Sequence, residues 1–292
     1  MRINKKSLFY ILLPLLAACN KDPYMPNGPA TQIELSSNST TYGNNNDADQ
    51  KLSTIRYMTY NIHAANPPSQ PDSTDIKAIA KVITDANPDI VFLQEVDKNT
   101  GRNKYSGDQA AAIAGLTKMN YSFFSSISYL RGLYGVAILS KYPLKSIRKY
   151  YLPKEQPDHE QRVLGLAVVD LPGVDSLVAA VTHLQHNSAT SRVAQINEIN
   201  SVMAGIKQPV LIGGDMNANP SATDFITAFD AGFTRTCTSG CSNTYSAQSP
   251  NTLIDYLAFR PATAFTVNSH NVINETYASD HLPVISELKI NR

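Results

Sequence analysis

Tryptophan is absent from the 292 residues, and cysteine occurs only three times. The first absence removes a common sign of carbohydrate or choline recognition without excluding either. The second excludes a fold stapled together by disulfides. An excess of charge of one sign is also missing: 25 basic side chains against 24 acidic ones leave a formal +1, so the chain is no polyelectrolyte and its total charge gives no pull toward nucleic acid. The chain has no internal repeat. What is present, 42% hydrophobic and 17% charged residues, is the balance of a folded, soluble body.

The first 18 residues read as an address. Arg2, Lys5 and Lys6 form a basic region and Leu8 to Leu16 an apolar run, shorter than the roughly 20 residues that cross a bilayer. Leu16-Ala17-Ala18-Cys19 follows directly. This ending resembles the lipobox of bacterial lipoproteins, which implies that Cys19 is acylated and becomes the first mature residue. An ordinary cleaved secretory signal is the plainer alternative. Either cleavage removes three basic and no acidic side chains, leaving 22 against 24, a formal −2. The localisation to expect is a lipid-anchored protein at the periplasmic face or the cell surface of the outer membrane. Residues 19–50, rich in Asn, Ser, Thr, Pro and Gly, read as a flexible tether. Residues 51–292 are long enough for one sizeable domain.

Within that body Ile55 to Asn61 reads as a strand, and Ile76, Ile79, Ala80 and Ile83 mark one face of a helix that Asn87-Pro88 stops. The order continues as a strand from Ile90, a helix from about Asp108 to Thr117, and strands at Tyr121 to Ser126, Gly135 to Ser140, Arg162 to Asp170 and Leu177 to Thr182. A helix carrying Val193, Ile196, Ile199 and Met203 is followed by strands at Val210 to Gly213, Leu253 to Phe259 and Leu282 to Leu288. Strands outnumber helices and many are adjacent. That order predicts a four-layer α/β sandwich, two mixed β-sheets packed face to face with helices on the outside, rather than a doubly wound parallel sheet.

Residues that hold metals or move protons recur at the strand ends: Asn61, Glu95, His183, Asp215, Asn217, Asp255, Asp280 and His281. Singly each has a bland reading, since strand-terminal Asp and Asn are common turn residues and Glu95 could pair with a lysine. Their neighbourhoods say more. Gly213-Gly214-Asp215-Met216-Asn217 puts a carboxylate and a carboxamide two apart after an apolar run, and Ser279-Asp280-His281 sets an acid beside an imidazole just before another.

Taken in order, Tyr60-Asn61, Leu93-Gln94-Glu95, Thr182-His183-Leu184, Gly214-Asp215-Met216-Asn217, Ile254-Asp255-Tyr256 and Ser279-Asp280-His281 resemble the endonuclease/exonuclease/phosphatase superfamily, over about Ile55 to Leu288. The block from Gln94 through Arg102 and Asp108-Gln109 to Tyr134-Gly135-Val136 is similar to the branch implicated in remodelling glycosylphosphatidylinositol lipids. The resemblance implies hydrolysis of phosphate esters with Mg²⁺, for which Mn²⁺ should substitute. It implies Glu95 as principal metal ligand with Asn61 and Asp280 close by, directly or through water. It further implies Asp215 to orient or deprotonate water, Asn217 to donate to the phosphate in the transition state, Asp255 to orient His281, and His183 with Arg162 on the non-bridging oxygens. Hard oxygen donors around a hydrated site suit magnesium.

Arg102, Lys104 and Arg131 flank the site entrance in sequence and could read a phosphorylated headgroup, although exposed cations are usually a solvated face. His159 and His186 read as solvated residues outside the site. Cys237 and Cys241, a C-x3-C pair in a polar loop of an exported chain, predict a local disulfide rather than a zinc fragment. The leading reading is a phosphodiesterase acting on a lipid or inositol-phosphate headgroup. An extracytoplasmic nuclease shares the whole catalytic set, and Lys141, Lys145, Arg148, Lys149 and Lys154 offer it a basic stripe. A non-catalytic binding lipoprotein is the third reading. Monomer is the default oligomeric state.

Overall fold

The computed structural model describes residues 42–292, so the Cys19 anchor, the leader and most of the expected tether lie outside the described residues. In chain order the elements are β1 (Thr54–Asn61), α1 (Ile76–Ala86), β2 (Ile90–Lys98), α2 (Gln109–Thr117), β3 (Asn120–Tyr129), β4 (Gly132–Ser140), β5 (Leu144–Tyr151), β6 (Val163–Leu171), β7 (Asp175–His183), α3 (Ala189–Ala204), β8 (Val210–Asp215), α4 (Thr223–Gly232), β9 (Thr234–Arg235), β10 (Asp255–Arg260), β11 (Phe265–Val272) and β12 (Val284–Ile290). They form two mixed six-stranded sheets, ordered β11-β12-β1-β2-β4-β3 and β5-β6-β7-β8-β10-β9. This is the four-layer sandwich that the strand-rich order implies.

Each sheet is built around one parallel pair. β1 runs parallel to β2 across α1, and β7 parallel to β8 across α3; the neighbouring pairings are antiparallel. Three apolar clusters then account for the layers. Ile55, Phe92, Ile138, Val181, Leu211 and Leu257 fill the space between the sheets. Ile79, Ile83, Leu93 and Ile113 seat α1 and α2 on the first sheet, and Ile196, Ile199, Ile212 and Phe229 seat α3 and α4 on the second. Central strands are therefore covered on both faces, which is why β2 begins with an unbroken apolar run. The helices start where side chains cap them: Asp75, Asp108 and Ser188 accept from Ala78 N, Ala111 N and Ser191 N at 2.9, 2.9 and 3.2 Å.

The sheets approach closely through glycine. A Cβ at Gly213 would fall 2.3 Å from Cδ2 of Phe92, and one at Gly165 would fall 2.4 Å from Cδ2 of Phe124. Both rings stand in the opposite sheet, in the space that those glycines leave open.

Four elements are absent from the sequence-predicted order: β5, α4, the two-residue β9 and β11. The segment from Tyr42 to Gln50 also differs from a free tether, being laid against the body. Tyr42 exchanges backbone hydrogen bonds with the Asn120 side chain at 2.9 Å each way, and Gly173 N donates to Asn46 O at 3.0 Å. Cys237 and Cys241 are bridged, with Cα atoms 5.9 Å apart.

Candidate functional site

The C-terminal ends of the two parallel pairs lie at one rim of the sandwich. Asn61 pairs in register with Gln94 at the end of β1 and β2, and His183 with Asp215 at the end of β7 and β8. Asp255, first in β10, pairs with Asp215. Glu95 needs a further device. The β2–β4 register slips between Leu93 and Val96, and Glu95 within the slip has φ +56°. A strand bulge of this kind re-aims a side chain, and it turns Glu95 toward Asn61.

Asn61, fully buried, joins the carboxylates. Its Nδ2 donates to Glu95 Oε1 and to Asp215 Oδ2 at 3.1 Å each, and lies 3.4 Å from His281 Nε2, while its Oδ1 accepts from His63 N at 3.1 Å. His281, from the segment before β12, reaches across to the second sheet: Nδ1 is 2.9 Å from Asp255 Oδ2, and Nε2 is 3.7 Å from Asp215 Oδ2. Burial alone would discharge the ring. Asp255, with its hydrogen bond, and Asp215 and Asp280 outweigh that and raise His281 to about 10, so it is an imidazolium at neutral pH. Asp215 moves the other way for a carboxylate. Burial and Asp255 raise it to about 7, against the opposing pull of His281, Asn217 N and Asn61.

His183, buried, has Nε2 3.0 Å from Asn217 Nδ2 and 3.5 Å from Asp215 Oδ2. Burial first, and then Arg162, His281 and His186, hold it well below the ordinary imidazole value, so it is neutral. With Nε2 accepting from Asn217, the ring proton sits on Nδ1, which is buried without a partner among the described residues. Arg162 Nε is likewise buried and unpaired. Both residues line a small recess with Ser126 and Tyr134. The recess is closed to anything the size of a water molecule, so neither of these donors is open to an anion in this conformation. Arg162 also contacts Glu160 Oε1 at 3.1 Å and His186 Nδ1 at 3.4 Å, so His186, read as a bystander, abuts the site. The Asn217 amide is engaged twice, by His183 and by Leu184 O at 3.1 Å.

Asp215, Asp255 and His281 lie close enough together to hold a metal ion, but the chemistry of the trio is against it. The imidazolium already bridges the two carboxylates and has no lone pair to offer. Glu95 and Asp280, partly exposed and flanking the Asn61 carboxamide, are the hard-oxygen set that fits a hydrated divalent cation. His63, which the sequence reading passed over, sits two residues beyond Asn61 with Nδ1 3.8 Å from Asp280 Oδ1; its spacing from Asn61 was the available signal. Tyr245, whose ring centroid is 4.8 Å from that of His281, comes from an irregular loop that carries no periodic signal. Arg102 stands apart from this cluster. Its Nε and Nη2 bind Asp97 at 2.8 Å each, and its guanidinium covers Tyr129 and Tyr134 at 4.8 and 5.5 Å. It braces a hairpin, and its paired edge is not available to a phosphate.

The same architecture occurs in solved structures. An endonuclease/exonuclease/phosphatase from Beutenbergia cavernae is 25% identical and is matched over 83% of this chain and 72% of its own, with a TM-score of 0.70. A mannosyl-6-phosphatase from Bacteroides thetaiotaomicron, 16% identical, is matched over 80% of this chain and 99% of its own at a TM-score of 0.63. The human nocturnin catalytic domain, 18% identical, is matched over 83% and 97% at 0.62. These two share the fold. No curated protein matches the chain in sequence. A sequence model of the Endonuclease/Exonuclease/phosphatase family matches residues 58–281, which include every strand-end residue of the rim, and the chain belongs to that family of phosphate-ester hydrolases.

Proposed function

We propose that the chain is a divalent-metal-dependent phosphodiesterase acting on a lipid or inositol-phosphate type of headgroup. The observation that carries this reading is His281, held protonated between Asp255 and Asp215, beside a carboxylate poised near neutral pH. A positioned base and a fixed positive charge are what attack of water on phosphorus requires. Asp215 takes a proton from the water as its oxygen bonds to phosphorus. His281 stabilises charge on the phosphoryl oxygens while the bond to the leaving alkoxide breaks, and the alkoxide takes its proton from solvent. Asn217 holds His183 in the tautomer that carries its proton on Nδ1. Held by Glu95, Asp280 and the Asn61 oxygen, Mg²⁺ or Mn²⁺ would supply Lewis-acid neutralisation of the developing charge.

Charge balance favours a diester. Glu95, Glu160, Asp215, Asp255 and Asp280 face His281 and Arg162, and one divalent cation still leaves this set with a formal charge of about −1. A monoanionic diester meets less repulsion there than a dianionic monoester. The basic stripe of the nuclease reading is reduced to Arg148 and Lys154. Lys141 pairs with Asp89 at 3.1 Å, Lys145 pairs with Asp170, and Lys149 is buried with its amine 3.0 Å from Ser125 Oγ. Attachment through Cys19 to the outer membrane is part of the proposal and agrees with a headgroup substrate.

The test is hydrolysis of bis(p-nitrophenyl) phosphate, phosphatidylinositol and DNA with Mg²⁺ or EDTA, with His281→Ala as control. Metal-dependent cleavage of the first two, abolished in the variant, supports the reading. Faster cleavage of DNA than of either diester, or turnover that survives His281→Ala, sinks it.

A further inference from the structure

The β3–β4 hairpin breaks a local rule. Its two-residue tip, Leu130-Arg131, has φ +43° and +67°, the primed turn that Asn-Gly fills at least cost. Leucine and arginine in left-handed conformation carry backbone strain that those residues would avoid. Natural sequences break such rules mostly where function requires it. Leu130 is 54% exposed and the adjoining Tyr129 39%. They are the one pair of chain neighbours among the large exposed hydrophobics of the described residues; Leu116, Val174, Tyr245, Val267 and Tyr277 stand singly.

The hairpin is also placed and braced. Gly135 of β4 pairs with Val96, next to Glu95, so the tip stands four residues, about 13 Å, beyond the metal-side carboxylate. Tyr134 on its stem is buried within electrostatic reach of Glu95 and Arg162. The Asp97–Arg102 pair covers Tyr129 and Tyr134, and Gly132 packs directly on the backbone of Lys98 to Thr100. The charge around it is mostly positive. The hairpin carries Arg131 and no acid, and in the adjoining loop Lys98 and Arg102 offset Asp108 and Asp97, leaving exposed Lys104 as the further positive charge.

We propose that the Tyr129-Leu130-Arg131 tip docks on an anionic lipid surface, inserting Leu130 between headgroups with Arg131 and Lys104 at the phosphate level. An apolar residue at the end of a rigid, basic, acid-free hairpin is the chemistry of an interfacial anchor. The docked tip sets the catalytic rim toward the headgroups, so this inference rests on the lipid-headgroup reading above. Chain length permits it. Tyr42 is fastened at the foot of β3, opposite the tip, and residues 20–41 can reach about 75 Å, against about 33 Å for the ten residues of β3. The fold supplies its own control. Val174, 70% exposed with φ +52°, tips the β6–β7 hairpin at the opposite end, between Lys51 and the Asp175–Arg292 pair, so it is an exposed apolar tip that faces away from the rim and has no exposed aromatic neighbour.

The experiment is co-sedimentation of protein beginning at Asn20, which bears no acyl chain, with phosphatidylcholine vesicles with and without phosphatidylglycerol. Among the described residues every core residue lies beyond Lys51, so this form keeps all three core clusters, and a thermal melt of each variant checks folding. Wild type should bind the anionic vesicles more tightly. Leu130→Glu should lose about tenfold in affinity, Arg131→Ala about fivefold, and Val174→Glu nothing. Absence of wild-type binding, equal binding by Leu130→Glu, or an equal loss in Val174→Glu overturns the proposal. Turnover of bis(p-nitrophenyl) phosphate by the same preparation separates the two readings. Hydrolysis without vesicle binding removes the docking tip and leaves the phosphodiesterase; vesicle binding without hydrolysis does the reverse.

Discussion

The rim has two halves, one from each sheet, and they differ in water. The first sheet presents Glu95 and, ahead of β12, Asp280, both partly open to solvent. The second presents His183, Asp215 and Asp255, each buried. An ion that keeps part of its hydration shell needs the open half. Proton affinities far from their ordinary values need the dry half, because desolvation and unscreened neighbours are what shift them. His281 belongs to the first sheet by sequence and to the second by contact, and Asn61 touches carboxylates of both. The division teaches that cation binding and proton transfer can fail separately.

The sharpest test of that division is Asp215→Asn, expected to lower kcat on a soluble diester about a thousandfold while metal affinity, read by calorimetry, hardly moves; a parallel loss of metal would break the comparison. Glu95→Gln should do the opposite, weakening Mg²⁺ binding by about a hundredfold, near the top of the range known for outer-sphere partners, with turnover partly recovered at high Mg²⁺. The pH profile comes next. Asp215 must be deprotonated and His281 protonated, so kcat/KM should rise through about pH 7 and fall near pH 10. In Asp255→Asn the imidazolium loses its main partner, and the alkaline limb should move down toward the ordinary imidazole range; an unmoved limb would assign it to another group. Smallest and most diagnostic is Asn61→Ala. Each lost hydrogen bond is worth about 1 kcal/mol, so metal affinity and kcat should each fall by less than about tenfold, and both together, since this one side chain spans the halves.

Periodicity located most of the frame because the covered strands and helices carry their burial in their sequence. α1 shows it in Ile76, Ile79 and Ile83, and β2 in its four-residue apolar start. The elements that escaped lie at edges or mix their signals. β5, β9 and β11 are edge strands, and β9 is only two residues long. Within LKSIRKYY one buried position is filled by Lys149, whose amine turns to Ser125, so the alternation cannot be read from residue type. β11 has one fully buried residue, Phe265. α4 does carry a helical period in Phe225, Phe229 and Phe233, but the period is written in aromatic residues, which strands favour as well. The strand-end residues were legible as an ordered set of motifs. Roles that depend on partners were not. Nothing in the sequence tells that Arg102 belongs to Asp97, or that Tyr245 leans on His281, since Arg102 and Tyr245 both stand outside the strands and α-helices.

The glycines between the sheets bear on how such a site can change. Because Gly213 faces the Phe92 ring with no room for a methyl group, the spacing of the sheets is set by ring thickness within the core, two residues below Asp215 and three below Glu95 along their strands. That contact acts as a caliper for the mouth above it. Enlarging Gly213 or trimming Phe92 would open or tilt the jaws without touching any group that does chemistry. The gap offered to a substrate is thus adjustable from the interior, by residues that no comparison of catalytic motifs would single out.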